Sequence, residues 1–180
     1  MSSEQSQVIV AYDFSASARS AMSRGVALAA RAPFHVLHFI CVLDPHHGTD
    51  VDRVRDELAA TVDQELRAAE LKHPLHFHVH VRISRNPAKE ILALASEIGA
   101  DLIVVGCKGR TGIERLVLGS VSEHIVREAG CAVVIARPKE YPYVVHEDVV
   151  AVEAHPHHRS FRFTYDGRVG VAEPLRWPGA

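Results

Sequence analysis

The amino-acid sequence predicts an α/β fold in which a five-stranded parallel sheet carries helices on both faces. Five strand-like segments alternate with helix-like segments over the first 137 residues, which is the pattern of successive βα units. Most of the strand-like runs are continuously apolar, as is typical of parallel strands covered on both faces. Parallel strands need crossover connections, and the helix-like segments supply them.

Two strand–helix units open the chain. Residues 8–12 form a short apolar run, and residues 34–43 form a second one. The helix after the first run is expected to begin at Ser15 or Ser17, since either side chain can act as the N-cap. Apolar residues then recur at helical spacing in both helix-like segments. They are Ala18, Met22, Val26 and Ala29 in the first helix, and Val51, Val54, Leu58, Val62, Leu66 and Ala69 in the second.

The third unit begins with a strand of different character. Residues 76–83 alternate histidine and arginine with apolar side chains. This period of two predicts a strand at the edge of the sheet with one wetter face. Asn86 is expected to cap the following helix, with Pro87 at its first position and Gly99 at its end.

Two further strands flank the last helix of this region. Residues 102–105 are read as a buried fourth strand, residues 121–129 as a helix that Gly130 closes, and residues 131–136 as the fifth strand. Because the fifth strand is the last of the sheet, one of its edges should be exposed. Natural proteins pair or cover such an edge.

Composition divides the chain near Pro138. Six of the eleven aromatic residues fall in the last 43 positions, whereas the preceding part is rich in alanine, valine, leucine and isoleucine. We therefore predict one domain at residues 1–138 and a C-terminal β extension at residues 139–180.

The extension carries the signals of a β-hairpin. Phe161, Phe163 and Tyr165 alternate with polar residues, so that the aromatic side chains share one face. Asp166 and Gly167 follow directly and form a strong two-residue turn signal. A lone hairpin is marginal in water, so we expect this one to pack on the first domain or on a partner subunit.

Charge and hydropathy exclude several classes of protein. The formal net charge is only -2, which argues against nucleic-acid or anionic-membrane binding. No apolar run reaches the roughly 20 residues of a membrane span, and the first residues lack the features of a signal peptide. The expected location is therefore cytoplasmic. The three cysteines form no CxxC pair, so neither a disulfide framework nor a thiolate metal site is predicted.

A glycine-rich segment follows the fourth strand. Four of the eleven glycines lie within residues 106–119, and the end of this segment opens the last helix. Glycines let backbone amides approach an anion, and a helix N-terminus supplies unpaired N–H groups. This arrangement predicts a phosphate site. The alternative is that Gly109 and Gly112 only turn the chain, and that Ser120 and Glu123 form an ordinary capping box.

The spacing of this segment resembles the nucleotide loop of the ATP-binding branch of the universal stress protein family. The four matching positions are Gly106, Gly109, Gly119 and Ser120. The resemblance also includes the first strand with its acidic residue Asp13, and the start of the third helix at residues 86–91. It covers about residues 5–138 and implies a Rossmann-like architecture related to the adenine nucleotide α-hydrolases.

The resemblance implies a set of nucleotide contacts. Asp13 and Gly106 would lie by the ribose, and main-chain groups near Phe39 would meet the adenine edge. Glycine and serine positions of the loop would line the phosphates, with Val121 contributing its backbone. The complete set of implied contacts is Ala11, Tyr12, Asp13, Phe39, Gly106, Cys107, Gly109, Gly119, Ser120, Val121 and Ser122.

The resemblance further implies a regulatory or protective role in stress response. The ligand would be ATP, or ADP or AMP, with Mg²⁺ held mainly by phosphate oxygens and water. The protein would form a homodimer through its fifth strand. No nucleophile and base pair and no GxxxxGK[ST] loop are present, so no catalytic residue is predicted, and at most slow ATP hydrolysis would follow from the resemblance.

Two other classes of protein share this architecture. An adenine-nucleotide hydrolase or transferase of the related fold usually carries a Ser-Gly-Gly-x-Asp-Ser loop or a His-x-Gly-His motif near the first strand, whereas residues 13–16 here read Asp-Phe-Ser-Ala. A phosphorelay receiver needs two adjacent acids after strand one and a lysine after strand five, and this chain has neither.

Several residues near the predicted site carry alternative interpretations. Phe14 stands where the resembled family usually has a small residue, and Arg85 stands where it often has glycine. Lys108 and Arg110 would neutralise a triphosphate or remain solvated. Cys107 is either an oxidant-sensitive thiol or simply a small residue that fits the turn, and the second interpretation is favoured.

Histidines of the third strand raise the question of a metal. His76, His78 and His80 share one strand face by their spacing, and three imidazoles can hold a transition metal. The cluster lacks a further fixed ligand, so a structural or solvent-facing role is favoured and no metal site is predicted.

Overall fold

A computed structural model describes most of the first 138 residues and two short strands beyond them. The described residues are 5–31, 35–47, 50–69, 71, 73, 75–108, 118–138, 161–162 and 173–174. The chain forms two compact units, residues 1–138 and residues 139–180.

The first unit is a five-stranded parallel sheet with four helices, which confirms the predicted fold class. The strands lie in the order β3-β2-β1-β4-β5, so β3 and β5 are the two edges. Their bounds are β1 Ser6–Ala11, β2 His35–Leu43, β3 His76–Ile83, β4 Leu102–Gly106 and β5 Ala132–Ala136. The helices are α1 Ala16–Ala29, α2 Val51–Ala68, α3 Pro87–Ile98 and α4 Ser120–Glu128.

Each face of the sheet carries a separate apolar layer. Met22 of α1 and Leu58 of α2 pack with Phe39 on one face. Ile91 of α3 and Ile125 of α4 pack on the opposite face. All five side chains are almost completely buried, so the sheet is covered on both sides, as the continuously apolar strands predict.

The first and third helices begin where their capping residues predict. Ser15 Oγ accepts a hydrogen bond from the backbone N–H of Ala18 at 3.1 Å. Asn86 Oδ1 accepts one from the N–H of Lys89 at 3.1 Å. Gly99 ends α3 in the left-handed conformation, with φ 63° and ψ 50°, which confirms its predicted role.

The last helix differs from the prediction at both ends. Gly119 is its N-cap and no side chain caps the first turn, so Ser120 does not act as the first residue of a capping box. Ala129 follows the helix with an extended backbone, φ -68° and ψ 132°. The chain therefore leaves α4 without a left-handed glycine, and Gly130 does not close it.

The second unit contains an antiparallel pair of short strands, β6 Phe161–Arg162 and β7 Glu173–Pro174. Phe161 pairs with Pro174 and Arg162 with Glu173. The predicted turn at Asp166 and Gly167 lies outside the described residues, and the docking of an aromatic face stays a prediction.

None of the helices in the described part of the chain combines the length and the apolarity that crossing a bilayer requires.

Candidate functional site

A cleft opens at the carboxyl ends of the strands, on the face that α3 and α4 cover. The space between its walls amounts to about 530 Å³ when the part open to solvent is included. It lies where the strand order reverses between β1 and β4, the edge at which open α/β sheets bind ligands. The lining residues are Ala11, Tyr12, Asp13, Ala18, Ile40, Val42, Pro87, Ile91, Val105, Gly106, Lys108, Val121 and Ser122.

One end of the cleft is apolar. Ile40 and Val42 of β2 and Pro87 and Ile91 of α3 line it. The strand register accounts for the β2 residues, because Ala11 of β1 pairs with Ile40 and neighbours in register share a face of the sheet.

The side chain of Phe39 lies on the other side of the sheet, so the adenine contact predicted for main-chain groups near this residue stays a prediction. Its side chain is fully buried in the layer that α1 and α2 cover, and its ring meets that of Phe77 edge-on at 6.1 Å. Because successive residues of a strand face opposite sides, Ile40 and Val42 line the cleft and Phe39 does not.

The other end of the cleft is polar. Asp13 follows β1 and its Oδ1 accepts a hydrogen bond from the backbone N–H of Ser15 at 3.1 Å. Lys108 follows β4 and is the only cationic residue among the described lining residues. The cleft therefore places a carboxylate and an ammonium group beside the strand ends.

The amino terminus of α4 also borders this polar end. Val121 and Ser122, in its first turn, line the cleft, and no side chain caps that turn. Backbone N–H groups of a first helical turn and the helix dipole favour an anion. The Ser122 hydroxyl donates to the Gly106 carbonyl at 2.7 Å, and its contact with a phosphate stays a prediction.

The backbone anchors both ends of the glycine-rich loop. Cys107 N–H donates to the Ala136 carbonyl at 3.1 Å, and Gly119 N–H donates to the Cys107 carbonyl at 2.9 Å. The residue that leaves β4 and the residue that opens α4 are thus held together. As a result, the N–H of Gly119 is paired within the protein.

The structure brings six of the predicted contacts together and separates four. Among the lining residues are Ala11, Tyr12, Asp13, Gly106, Val121 and Ser122. Phe39, Cys107, Gly119 and Ser120 are not among them. The Cys107 thiol faces Ser17 Oγ at 3.4 Å, and Ser120 is exposed. Gly109 lies outside the described residues.

Sequence patterns missed most of the apolar lining. Ile40, Val42, Pro87 and Ile91 carry no chemical group that a motif would mark. The available signal was the alternation of β2, which divides its residues between two faces. The alternation alone does not decide which of the two faces meets the ligand, because that also depends on the register between β1 and β2.

Gly106 is required by packing between α1 and β4. A Cβ atom at this position would lie 2.6 Å from Ser17 Oγ and 2.7 Å from both the carbonyl carbon and the carbonyl oxygen of Ser17. Any side chain here would therefore collide with the backbone of α1. The glycine brings the helix close to the strand at the rim of the cleft.

Phe14 has the backbone conformation that glycine favours. Its φ is 64°, in the left-handed region that costs an ordinary residue roughly 1–2 kcal/mol. Its ring packs edge-on against Tyr12, with 5.0 Å between centroids. The backbone after Asp13 thus turns as it would at a glycine, although the residue at this position carries an aromatic ring.

We expect Phe14→Gly to be more stable than Phe14→Ala by about 1 kcal/mol. Both variants lose the ring contact with Tyr12, but only alanine keeps the left-handed strain. Urea denaturation of the two variants measures the difference. If the alanine variant is the more stable, the left-handed backbone at this turn is not a source of strain.

Three histidines form a cluster across β2 and β3, next to the cleft-facing layer. His38 Nδ1 lies 3.0 Å from His80 Nε2, and His38 Nε2 lies 2.8 Å from Gln7 Oε1. The His38 ring stacks on that of His78 at 4.8 Å. His38 is 6% exposed. The alternation of β3 predicted two of these residues together, and the strand register adds His38 from β2.

His38 and His80 are held in the neutral form. Because Gln7 Oε1 only accepts, His38 donates through Nε2 and accepts at Nδ1 from the His80 ring. Burial, reinforced by His80 and His78, lowers the pKa of His38 from 6.5 to about 4. Burial also lowers the pKa of His80. Within the described part of the chain, no group of three or more histidine, cysteine or acidic residues is arranged to hold a metal ion.

Comparison with known proteins gives the family. The model of the universal stress protein family matches residues 6–137. A putative universal stress protein of Staphylococcus haemolyticus is 41% identical over 78 residues, which are 42% of this chain and 47% of the relative. The chain thus matches about half the length of that relative.

Solved structures share the fold of the first unit. A universal stress protein in complex with cAMP matches with a TM-score of 0.58 and 24% identity, over 75% of this chain and 98% of that one. The universal stress protein of Archaeoglobus fulgidus in complex with dAMP matches with a TM-score of 0.55 and 17% identity, over 74% and 99%. The family model covers nearly the whole first unit, and the chain is therefore a member of the universal stress protein family.

Proposed function

We propose that the chain binds an adenine nucleotide, ATP in particular, in the cleft between β1 and β4. The observation that carries this proposal is the division of the cleft into an apolar end and a polar end. A nucleotide is divided in the same way, with a flat base at one end and phosphates at the other.

The apolar end suits a purine ring. Its lining by Ile40, Val42, Pro87 and Ile91 is aliphatic surface. Burying a base against such surface removes apolar area from water, at about 25 cal/mol per Å².

Asp13 lies at the polar end, after β1 and next to the apolar end that β2 lines, and a ribose would lie beside it. A carboxylate accepts hydrogen bonds from hydroxyl groups, and hydrogen bonds to a charged acceptor are about twice as strong as neutral ones. The first turn of α4 and the cation of Lys108 then meet the phosphates. Mg²⁺ would be held mainly by phosphate oxygens and water, because Asp13 is the only acidic residue among the described lining residues.

Two related structures support the choice of an adenine nucleotide. They contain cAMP and dAMP, which share the adenine base and one phosphate. ATP adds two phosphates, and Lys108 and the first turn of α4 are the described parts of the cleft that would meet them.

Asp13→Ala should weaken ATP binding by roughly tenfold or more, because the ribose loses a charged acceptor worth about 1.5–3 kcal/mol. Titration calorimetry with Mg·ATP measures the change. Asp52→Ala is the matched control, because Asp52 pairs with Arg55 on the exposed surface of α2. If the wild type binds no ATP, the proposal fails, and if Asp13→Ala binds as tightly as Asp52→Ala, the assignment of Asp13 fails.

The biological role we propose is a nucleotide-dependent regulatory or protective module in stress response, acting in the cytoplasm. No catalytic base is assigned, so turnover of ATP would be slow. If the protein turns over ATP rapidly in the calorimetric samples, the alternative function, an adenine-nucleotide hydrolase or transferase, replaces this role.

A homodimer completes the proposal. β5 is an edge strand, and Val126 on the neighbouring helix α4 is 48% exposed. An edge strand with an apolar neighbour is suited to pair with its own copy about a two-fold axis. Light scattering at micromolar concentration should give the mass of a dimer, and a monomer's mass would contradict this part of the proposal.

A further inference from the structure

Ser17, near the start of α1, is bonded to the segment that enters the glycine-rich loop. Its Oγ accepts the backbone N–H of Lys108 at 3.1 Å and lies 3.4 Å from the thiol of Cys107. The two ends of this contact are 91 positions apart in the chain. A single hydroxyl therefore joins the first helix to the loop.

The bond from Ser17 adds to two backbone hydrogen bonds that hold the start of the glycine-rich loop. The backbone of Cys107 is bonded on one side to Ala136 and on the other to Gly119. The next residue, Lys108, lines the polar end of the cleft. Ser17 supplies the side-chain bond to its N–H, so the direction in which the chain leaves β4 depends on that hydroxyl.

Close packing holds the hydroxyl in place. The atoms of Ser17 lie against Gly106 so tightly that no Cβ fits between them. Ser17 thus has little freedom to turn away from Lys108, and the bond is made between two rigid elements. A bond of this kind orients its partner with little loss of conformational entropy.

We propose that Ser17 is a positioning residue for phosphate binding: it holds Lys108 at the polar end of the cleft, where the lysine cation meets the phosphates of the nucleotide. This inference rests on the proposed function. Ser17 itself does not line the cleft among the described residues. Its effect is therefore expected on the phosphate part of the ligand and not on the base.

The test compares two ligands and two serines. Ser17→Ala removes the acceptor and keeps a strong helix former at an early helical position. Ser20→Ala is the matched control, because the Ser20 hydroxyl bonds only to Ala16 of its own helix. Calorimetry with Mg·ATP and with adenosine, and hydrogen exchange of the Lys108 amide without ligand, give three readouts for each protein.

We expect Ser17→Ala to weaken ATP binding roughly fivefold, the typical worth of one hydrogen bond, with adenosine affinity within about twofold of the wild type. The Lys108 amide should exchange on the order of tenfold faster, because it loses its acceptor. Ser20→Ala should change none of these values.

Three outcomes would overturn the inference while leaving nucleotide binding intact. The first is unchanged ATP affinity in Ser17→Ala, even if Lys108 exchanges faster. The second is an equal loss of affinity for ATP and for adenosine. The third is faster exchange throughout α1 and β4, which would indicate a general structural role. Failure of the wild type to bind ATP would instead refute the proposed function, and the inference with it.

Discussion

Replacing Gly106 with alanine should destabilise the protein by about 3 kcal/mol, at the upper end of what overpacking typically costs. The new Cβ would lie 2.7 Å from backbone atoms of Ser17. Backbone cannot rotate away as a side chain can, so α1 must shift as a whole. A calorimetric melt should show a decrease of roughly 10 °C in the melting temperature.

Gly130→Ala is the control for this substitution. Nothing lies within 4 Å of a Cβ built at Gly130, and the residue is exposed. This variant should melt within about 2 °C of the wild type, since surface substitutions away from special features change stability little. Equal melting temperatures for the two variants would show that the close approach of α1 to β4 is not the reason for glycine at position 106.

Acid should destabilise the protein through the histidine cluster. The pKa of His38 is about 4 in the folded protein and about 6.5 in the unfolded chain. Between these values the unfolded state binds more protons, so the free energy of unfolding decreases as pH falls through this range. The contribution of His38 is fully present above pH 6.5 and is lost by about pH 4. At pH 4.5 the loss amounts to about 2 kcal/mol.

His38→Gln isolates this contribution. Glutamine still offers a donor to Gln7 and an acceptor to His80, but it does not titrate. Urea unfolding at pH 7.5 and pH 4.5 should show a decrease about 2 kcal/mol smaller in His38→Gln than in the wild type. His124→Gln, on the exposed surface of α4, should behave as the wild type. If His38→Gln loses as much stability in acid as the wild type does, His38 is not the buried, neutral group inferred from the structure.

The order of elements could be predicted from local signals alone. Ser15, Asn86 and Gly99 set helix ends through contacts within a few residues, so their roles can be derived from the sequence. The alternation in β3 placed that strand at an edge, because a strand with one wet face does not fit the centre of a parallel sheet. The predicted end of α4 at Gly130 also rested on a local signal, and it is wrong. The chain leaves the helix at Ala129 with an extended backbone and continues directly into β5.

The candidate site depended on contacts that the local sequence does not contain. Asp13 and Gly106 were found because each carries a distinctive chemistry at the end of a strand. The side chains of Ile40 and Phe39 cannot be told apart from the sequence as lining or non-lining, because the two are chemically alike on a buried strand and only the pairing of β2 with β1 separates them. For Gly106, which lines the cleft, the structure adds a packing reason for glycine that the sequence does not contain, namely the close approach of Ser17.

The same limitation applies to the histidines. The spacing of His78 and His80 is visible in the sequence, but His38 joins them only because β2 and β3 are paired in one register. The imidazole of His38 changes the interpretation of the cluster. A buried chain of hydrogen bonds from Gln7 through His38 to His80 now accounts for the contact between the His38 and His80 rings.

The hydrogen bond from the Cys107 N–H to the Ala136 carbonyl joins the residue after β4 to the last residue of the edge strand β5. Ala136 ends β5, the strand whose outer side is open to pairing, and Cys107 lies between two residues of the cleft. Should a strand that adds to β5 displace Ala136, this bond would carry the displacement to Cys107, whose neighbours Gly106 and Lys108 line the cleft. Thermodynamic reciprocity then requires that whatever assembly does to ligand affinity, the ligand does to assembly by the same factor.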